Sequence, residues 1–258
     1  MKTALVTGSS RGAGKGVAIA LAGSGYKVFA TGRSIQNTPL PETITRVSCD
    51  HTKDDETAAV FGRIARECGQ LEILVNSAWG GYERMTENGQ FTWSAPFWEQ
   101  PVHRWTSMMD AGVRAAFICS ANAARIMIPH RRGLIVNIGF RAAQKYLGNT
   151  IYGTAKAATD KMSSDMAYEL RSHNIAVISL YPGIVRTEAV IAAAEQGWLD
   201  ISNSESPEFI GRVIAAMASD PDPMVKSGKV LIAAAEAASY GLTDKNGARP
   251  RPLTLNDV

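Results

Sequence analysis

Short apolar runs recur along this chain at 3–7 (TALVT), 27–31 (KVFAT), 44–49 (ITRVSC), 71–75 (LEILV), 134–138 (LIVNI), 175–180 (IAVISL) and 229–233 (KVLIA). Each is continuously apolar rather than alternating, the pattern of a strand covered on both faces. Longer helix-like stretches lie between them, at 14–23, 53–68, 103–128, 152–171 and 207–219. A helix between two such strands makes a βαβ unit, whose right-handed crossover sets the strands parallel with helices on both sides. The expected class is α/β, a doubly wound parallel sheet of about seven strands. Without a repeat, a low-complexity tract or a linker, residues 1–258 read as one domain.

The first run leads straight into TGSSRGAGKGVAIAL, with glycines at 8, 12 and 14 opening a helix. Glycine lets a backbone turn tightly and approach a pyrophosphate with no Cβ in the way. The free N–H groups and dipole at the helix start then receive the negative charge. Gly8, Ser10, Arg11, Gly12 and Gly14 are therefore candidate dinucleotide contacts, and the sheet is expected to be of Rossmann type. A nucleotide-triphosphate P-loop is excluded, because Gly16 follows Lys15 where Ser or Thr is needed and Ser9 takes the first glycine position. Cofactor choice is decided at the end of the second run, where an acid would bind a ribose 2′-hydroxyl. Here Gly32 stands in that place and Arg33 follows it. Two guanidinium forks, Arg11 and Arg33, suit a 2′-phosphate, so NADP(H) is expected over NAD(H). The plainer alternative is a pair of solvated surface arginines.

Tyr152 and Lys156, in YGTAK, sit at i and i+4 and so share one helix face. A lysine held there favours phenolate and is expected to lower the tyrosine pKa, giving a proton donor or acceptor usable near neutral pH. Composition excludes other classes of function. A net charge of +3 with no basic run speaks against a nucleic-acid track, and PHRRG at 129–133 reads as a solvated helix end. Cys49, Cys68 and Cys119 are widely spaced and read as reduced structural thiols. No metal site is expected, since His51, His103, His130 and His173 show no ligand spacing. Met108 and Met109 read as core filler, and Asp110 and Asp160 as solvated helix charges. The start MKTALVTG leaves no room for a signal peptide, and no apolar run approaches the ~20 residues of a membrane span. A cytoplasmic protein is the expectation.

These motifs, in this order, resemble the short-chain dehydrogenase/reductase superfamily through nearly the whole chain. Its TGxxxGxG is matched by Thr7–Gly14. An aspartate after the third strand, which usually contacts adenine, is matched by Asp50. NNAG appears as NSAWG, keeping Asn76 and Ala78, and YxxxK is Tyr152 and Lys156. The PG motif is YPGIVRT, giving Pro182, Gly183, Ile184 and Thr187, the last two at positions that touch the nicotinamide amide. LRSHNIAVISLYPGIVRTE and SGKVLIAAAEAASYGLTDKNGARP look like the branch called dehydrogenase/reductase SDR family member 1, which implies NADPH-dependent reduction of steroids and other carbonyl compounds. The resemblance further implies hydride transfer with Tyr152 moving the proton, Lys156 holding the nicotinamide ribose, and assembly into a homodimer or homotetramer. Along the helix after Lys156, Ser163 and Ser164 fall where the family commonly makes its subunit contact.

Two positions depart from the family pattern. The catalytic serine is replaced in LIVNIGFRAAQKY, with Gly139 in its place and Phe140 after it, and the family asparagine is replaced by Gly112. A missing hydroxyl at the reacting oxygen typically costs about 10²–10³ in rate. Tyr146, Thr150 or a backbone N–H are candidate substitutes; alternatively, Gly139 makes room for a bulky substrate. Two functions stay open: a carbonyl/alcohol oxidoreductase acting on a small apolar substrate, and a dinucleotide-binding protein with little catalysis. Segment 79–105, with four tryptophans, reads either as the aromatic wall of a substrate pocket that includes Trp79 or as packing at a subunit contact. Stretch 186–205, with Val190 and Trp198, resembles the family's variable substrate-binding region.

Overall fold

Every one of the seven apolar runs becomes a strand of a single sheet in the computed structural model, which describes residues 1–83 and 85–257. The strands are β1 (Thr3–Val6), β2 (Lys27–Gly32), β3 (Ile44–Ser48), β4 (Ile73–Asn76), β5 (Thr86–Glu87), β6 (Gln90–Phe91), β7 (Gly133–Ile138), β8 (Ile175–Tyr181), β9 (Ile184–Val185), β10 (Ser204–Glu205) and β11 (Val230–Ile232). The helices are α1 (Gly12–Gly23), α2 (Asp54–Cys68), α3 (His103–Met108), α4 (Ala115–Met127), α5 (Thr150–Leu170), α6 (Glu188–Glu195), α7 (Pro207–Ala218) and α8 (Ala233–Ser239). The main sheet runs β11-β8-β7-β4-β1-β2-β3 with every neighbouring pair parallel. The chain winds outward in both directions from β1, so the order reverses between β1 and β4. A crevice beyond the carboxyl ends of the strands is expected there.

The continuous apolar runs have a direct explanation. Ala4 and Val6 face a core layer with Val17 and Leu21 of α1 and Phe209 and Ile214 of α7. Leu5 between them faces the opposite layer, with Phe61 and Ile64 of α2, Met127 of α4 and Leu170 of α5. Both pleat directions are thus buried, and neither can be polar. A third cluster, of Trp93, Met108, Ala142, Tyr152 and Ala155, lies apart from these two and belongs to the site described below.

The rod formed by α3 and α4 is joined by a wide π turn over Met109–Arg114. His103–His130 is long and apolar enough, by length and composition, to cross a membrane, which corrects the expectation that no run approaches that length. Its Ala115, Ala116, Cys119, Ala123 and Met127 are buried, and packing against the sheet accounts for that face. Segment 79–105 has regular structure of its own. It carries the β5–β6 hairpin and a short 3₁₀ turn at Phe97–Glu99, with position 84 outside the described residues.

His51 is buried and satisfied within the core. Its Nε2 meets Thr31 Oγ1 at 2.7 Å, and its Nδ1 lies 3.2 Å from Thr57 Oγ1, 3.4 Å from Cys119 Sγ and 3.6 Å from Cys49 Sγ. Burial drives its pKa down to about 4, so the folded protein holds the neutral ring. An unfolded chain binds that proton from about pH 6.5 downward. Stability present above pH 6.5 is therefore lost as pH falls toward 4, by on the order of 3 kcal/mol from this group. Urea unfolding across that window is expected to show the slope, and a His51→Gln variant to lack its share of it.

Candidate active site

The glycine turn closes on the loop after β4. Gly8 has φ +68°, and a Cβ on it would come within 2.7 Å of Ala78 Cα. A Cβ on Gly14 would lie 2.4 Å from Gly8 O. Only glycine permits this approach. Thr7 Oγ1 completes the junction, accepting from the N–H groups of Ser77 at 3.1 Å and Ala78 at 3.0 Å. Ser10 Oγ is buried without a partner among the described residues, and it lies 2.3 Å from where a Gly32 Cβ would stand. An acidic side chain at position 32 is therefore sterically excluded while Ser10 keeps its place. Glycine cradle, unspent hydroxyl and nearby guanidinium groups together fit a dinucleotide phosphate.

Arg11 and Arg33 do converge, and they do so on a carboxylate. Glu83 Oε1 accepts from Arg11 Nη2 at 3.0 Å and from Arg33 Nη2 at 2.5 Å. A second carboxylate, Glu188, accepts the Gly12 N–H at 3.2 Å. Thr187 caps α6 by accepting from Val190 N at 3.3 Å, and its Cγ2 lies 3.2 Å from a Cβ position on Gly12. Ile184 opens the two-residue strand β9, which pairs with β10, and Pro182 is buried just before it. Gly183 has Glu205 Oε2 3.2 Å from its Cβ position. Asp50, two residues past β3, accepts at Oδ1 from the Thr52 N–H and hydroxyl, at 3.1 and 2.8 Å.

The side chain of Asn76, expected as a cofactor contact, is engaged within the fold. Its Nδ2 donates to Asn137 Oδ1 at 2.8 Å and Ser120 Oγ at 3.0 Å, inside the layer between the sheet and α4. Asn137 in turn donates to Ser163 Oγ at 2.8 Å. Ser163 is buried against the sheet, which corrects its expected place at a subunit contact, whereas Ser164 is half-buried. These residues brace β4 and β7 rather than face the crevice.

Tyr152 and Lys156 share one face of α5, as the spacing requires. Asn149 caps that helix by accepting from Tyr152 N at 2.9 Å, and it ties down Trp93 O at 2.8 Å. Lys156 Nζ donates to Ile138 O at 3.0 Å and lies 4.3 Å from the Trp79 ring centroid. Trp79 directly follows Ala78, so the phosphate turn and the lysine are connected through two consecutive residues. Four rings surround Tyr152: Trp93 at 5.3 Å, Trp79 at 5.8 Å, Tyr82 at 6.0 Å and Phe140 at 6.3 Å between centroids. Tyr82 OH donates to Tyr152 OH at 2.9 Å, although the Tyr82 ring is itself half exposed.

This enclosure reverses one expectation. The Tyr152 pKa is raised well above its ordinary value, first by burial and then by Tyr82, not lowered by the lysine. Burial also pushes Lys156 down to about 8. Asp160, two turns beyond Tyr152, is not a solvated charge either. It accepts from Ser179 Oγ at 2.6 Å and from the Tyr181 hydroxyl, and burial raises its pKa.

The same Ser179 and Tyr181 decide what Gly139 can do. A Cβ on Gly139 would stand 2.4 Å from Ser179 Oγ and 2.7 Å from Tyr181 Cε1. The space beside Gly139 is therefore filled by β8, not left open for a bulky substrate. Gly139→Ser is expected to destabilise the protein by about 1–3 kcal/mol through overpacking, rather than raise turnover; thermal melting with a rate assay checks both. Phe140 is the neighbour whose ring reaches Tyr152. Tyr146 is exposed, swung outward with Gln144 and Lys145, and Thr150 is exposed as well, so neither expected substitute approaches the Tyr152 hydroxyl. Tyr82 does, and the sequence marks it only as one more aromatic in segment 79–105. Gly112 is explained by Trp79, whose ring carbons would lie 2.6 and 2.7 Å from its Cβ.

Segment 79–105 has an enclosed part and an exposed part. Trp79, Tyr82 and Trp93 line the Tyr152 site, while Phe91, Phe97, Trp98 and Trp105 are exposed. Trp198 in stretch 186–205 is exposed too.

A doubly wound sheet carrying a phosphate-type glycine turn beside a tyrosine–lysine pair defines a dinucleotide-dependent oxidoreductase class. The profile of the short chain dehydrogenase family matches residues 2–197, and the chain belongs to this family. "Dehydrogenase/reductase SDR family member 1" of Homo sapiens is 36% identical over 263 aligned positions, covering 94% of this chain and 83% of that protein. The protein of that name in Mus musculus is 35% identical with the same coverage. Among solved structures, a tyrosine-to-phenylalanine variant of ElxO with NADPH bound superposes with a TM-score of 0.77 at 21% identity, covering 90% of this chain and 96% of that one, a likeness in fold.

Proposed function

We propose that the protein is an NADP(H)-dependent oxidoreductase that interconverts a carbonyl and an alcohol on a small apolar substrate. The observation that carries this reading is the continuity from Gly8 through Ala78 and Trp79 to Lys156 and Tyr152, which sets the proton-transfer pair beside the phosphate turn. When bound, a nicotinamide dinucleotide supplies or accepts the hydride. Arg11, Arg33 and Gly32 favour the 2′-phosphorylated form, and ElxO, of the same fold, was solved with NADPH and with NADP. Tyr152, held protonated by its surroundings at neutral pH, is poised as the acid for carbonyl reduction. Lys156 supplies positive charge behind it. The rings of Trp79, Trp93 and Phe140 exclude water and favour an apolar substrate.

Tyr82 sets its hydroxyl 2.9 Å from the Tyr152 oxygen, and on this reading it stands in beside the reacting centre for the missing serine hydroxyl. Tyr82→Phe is expected to lower kcat about tenfold to a hundredfold, and more than it changes KM. The absence of a side-chain hydroxyl at 139 and 140 favours the second reading, a dinucleotide binder with little turnover. A panel of apolar ketones and aldehydes, followed by NADPH absorbance, separates the two. Turnover that disappears in Tyr152→Phe while NADPH still binds supports the oxidoreductase. Wild-type protein that binds NADPH yet reduces no carbonyl faster than Tyr152→Phe does would leave the binder. Assembly into a homodimer or homotetramer is part of the same proposal; the exposed Phe117 of α4 and Tyr168 of α5 support it, and light scattering tests it.

A further inference from the structure

Two groups suited to phosphate already hold carboxylates. Glu83 Oε1 sits between Arg11 and Arg33, and Glu188 Oε2 takes the Gly12 N–H. They are not equivalent. Gly12 belongs to the turn that meets the pyrophosphate, which both nicotinamide dinucleotides carry. Arg11 and Arg33 flank position 32, where the 2′ substituent that distinguishes the two is read.

We propose that Glu83 is a specificity-determining residue: a resident anion that competes with the 2′-phosphate for Arg11 and Arg33. The inference rests on the NADP(H) reading above. A 2′-phosphate reaching the two forks must break two charge-assisted hydrogen bonds and displace a like charge. A 2′-hydroxyl meets no such opposition, because a carboxylate accepts its hydrogen bond. Glu83 thus moderates the preference that two arginines and no acid at position 32 would otherwise create. The three side chains are 35%, 69% and 62% exposed for Glu83, Arg11 and Arg33, so solvent and salt screen the competition and its size is modest.

Calorimetric titration of NADPH and NADH into wild type, Glu83→Gln and Glu188→Gln, at low and at physiological salt, tests this directly. Glu83→Gln is expected to tighten NADPH about tenfold at low salt and leave NADH unchanged or weaker, so the NADH-to-NADPH Kd ratio rises. Glu188→Gln is expected to move both dinucleotides alike and leave the ratio where it was. An unmoved ratio in Glu83→Gln, weaker NADPH binding, or equal shifts for both dinucleotides would each overturn the inference while the cofactor reading stood. Wild type that binds neither dinucleotide would overturn the cofactor reading, and this inference with it.

Discussion

Replacing Lys156 by methionine is expected to lower carbonyl reduction by roughly 10²–10³ and, at pH 7, to make the protein more stable. The two effects have one cause. The lysine is buried, and its ammonium pays a desolvation cost that pushes its pKa from 10.5 to about 8. Below pH 8 both folded and unfolded chains carry the charge, and the folded one bears the whole penalty. That penalty is on the order of 3 kcal/mol for a shift of this size. Methionine, of similar length and apolar, removes it. It also removes the bond to Ile138 O and the contact with the Trp79 ring, together worth about 1–2 kcal/mol, so a net gain of about 1–2 kcal/mol remains. Between pH 8 and 10.5 the unfolded chain binds a proton that the folded one has released, so wild-type stability rises with pH there. The methionine variant should lack this rise. Chemical denaturation at pH 7 and pH 10 checks it: the difference between the two proteins should shrink or change sign at the higher pH. A variant less stable than wild type at pH 7 would show that the hydrogen bond outweighs the desolvation. Activity in the wild type should fall above pH 8 as the charge behind Tyr152 is lost.

That behaviour was only half legible in the sequence. The i, i+4 spacing placed Tyr152 and Lys156 on one face, because helix geometry is local. The sign of the tyrosine shift depends on rings contributed by Trp79, Tyr82, Trp93 and Phe140, and spacing within one helix says nothing of them. The sheet was legible because both pleat directions of every strand are buried, which writes a continuous apolar run into the chain. The glycine turn was legible for a similar reason: tight approach forbids a Cβ, whatever the distant surroundings. Gly112 and Gly139 were not, since what fills the space beside each is a side chain from another element. Trp79 fills one, and Ser179 with Tyr181 the other. Asp160 was misread on the same ground. A carboxylate on a helix appears solvated until β8 is known to present two hydroxyls to it.

The buried guanidinium of Arg104 is expected to hold segment 85–100 in place, and Arg104→Met to cost on the order of 3 kcal/mol. Arg104 is 1% exposed on α3. It donates to Thr92 O and Thr92 Oγ1, each at 2.5 Å, to Met85 O at 3.4 Å and to Gln100 Oε1. Gln100 then passes the hold along, donating to Ala95 O at 2.6 Å, Trp93 O at 3.0 Å and Thr92 O at 3.3 Å. Methionine fills much of the volume yet leaves these part-buried backbone carbonyls with fewer donors. The cost is therefore concentrated in the segment rather than in the sheet. Trp93 belongs to it and lies 5.3 Å from the Tyr152 ring, so loosening the segment removes one wall of the site. Hydrogen exchange is expected to quicken across 85–100 while β1, β4 and β7 keep their protection. KM for an apolar carbonyl should rise by more than kcat falls, because the lost wall positions substrate and the proton-transfer pair is untouched. Exchange that quickens equally in the sheet would mean that the guanidinium supports the whole fold; unchanged exchange in 85–100 would mean that Asn149, bonded to Trp93 O, holds the segment without it.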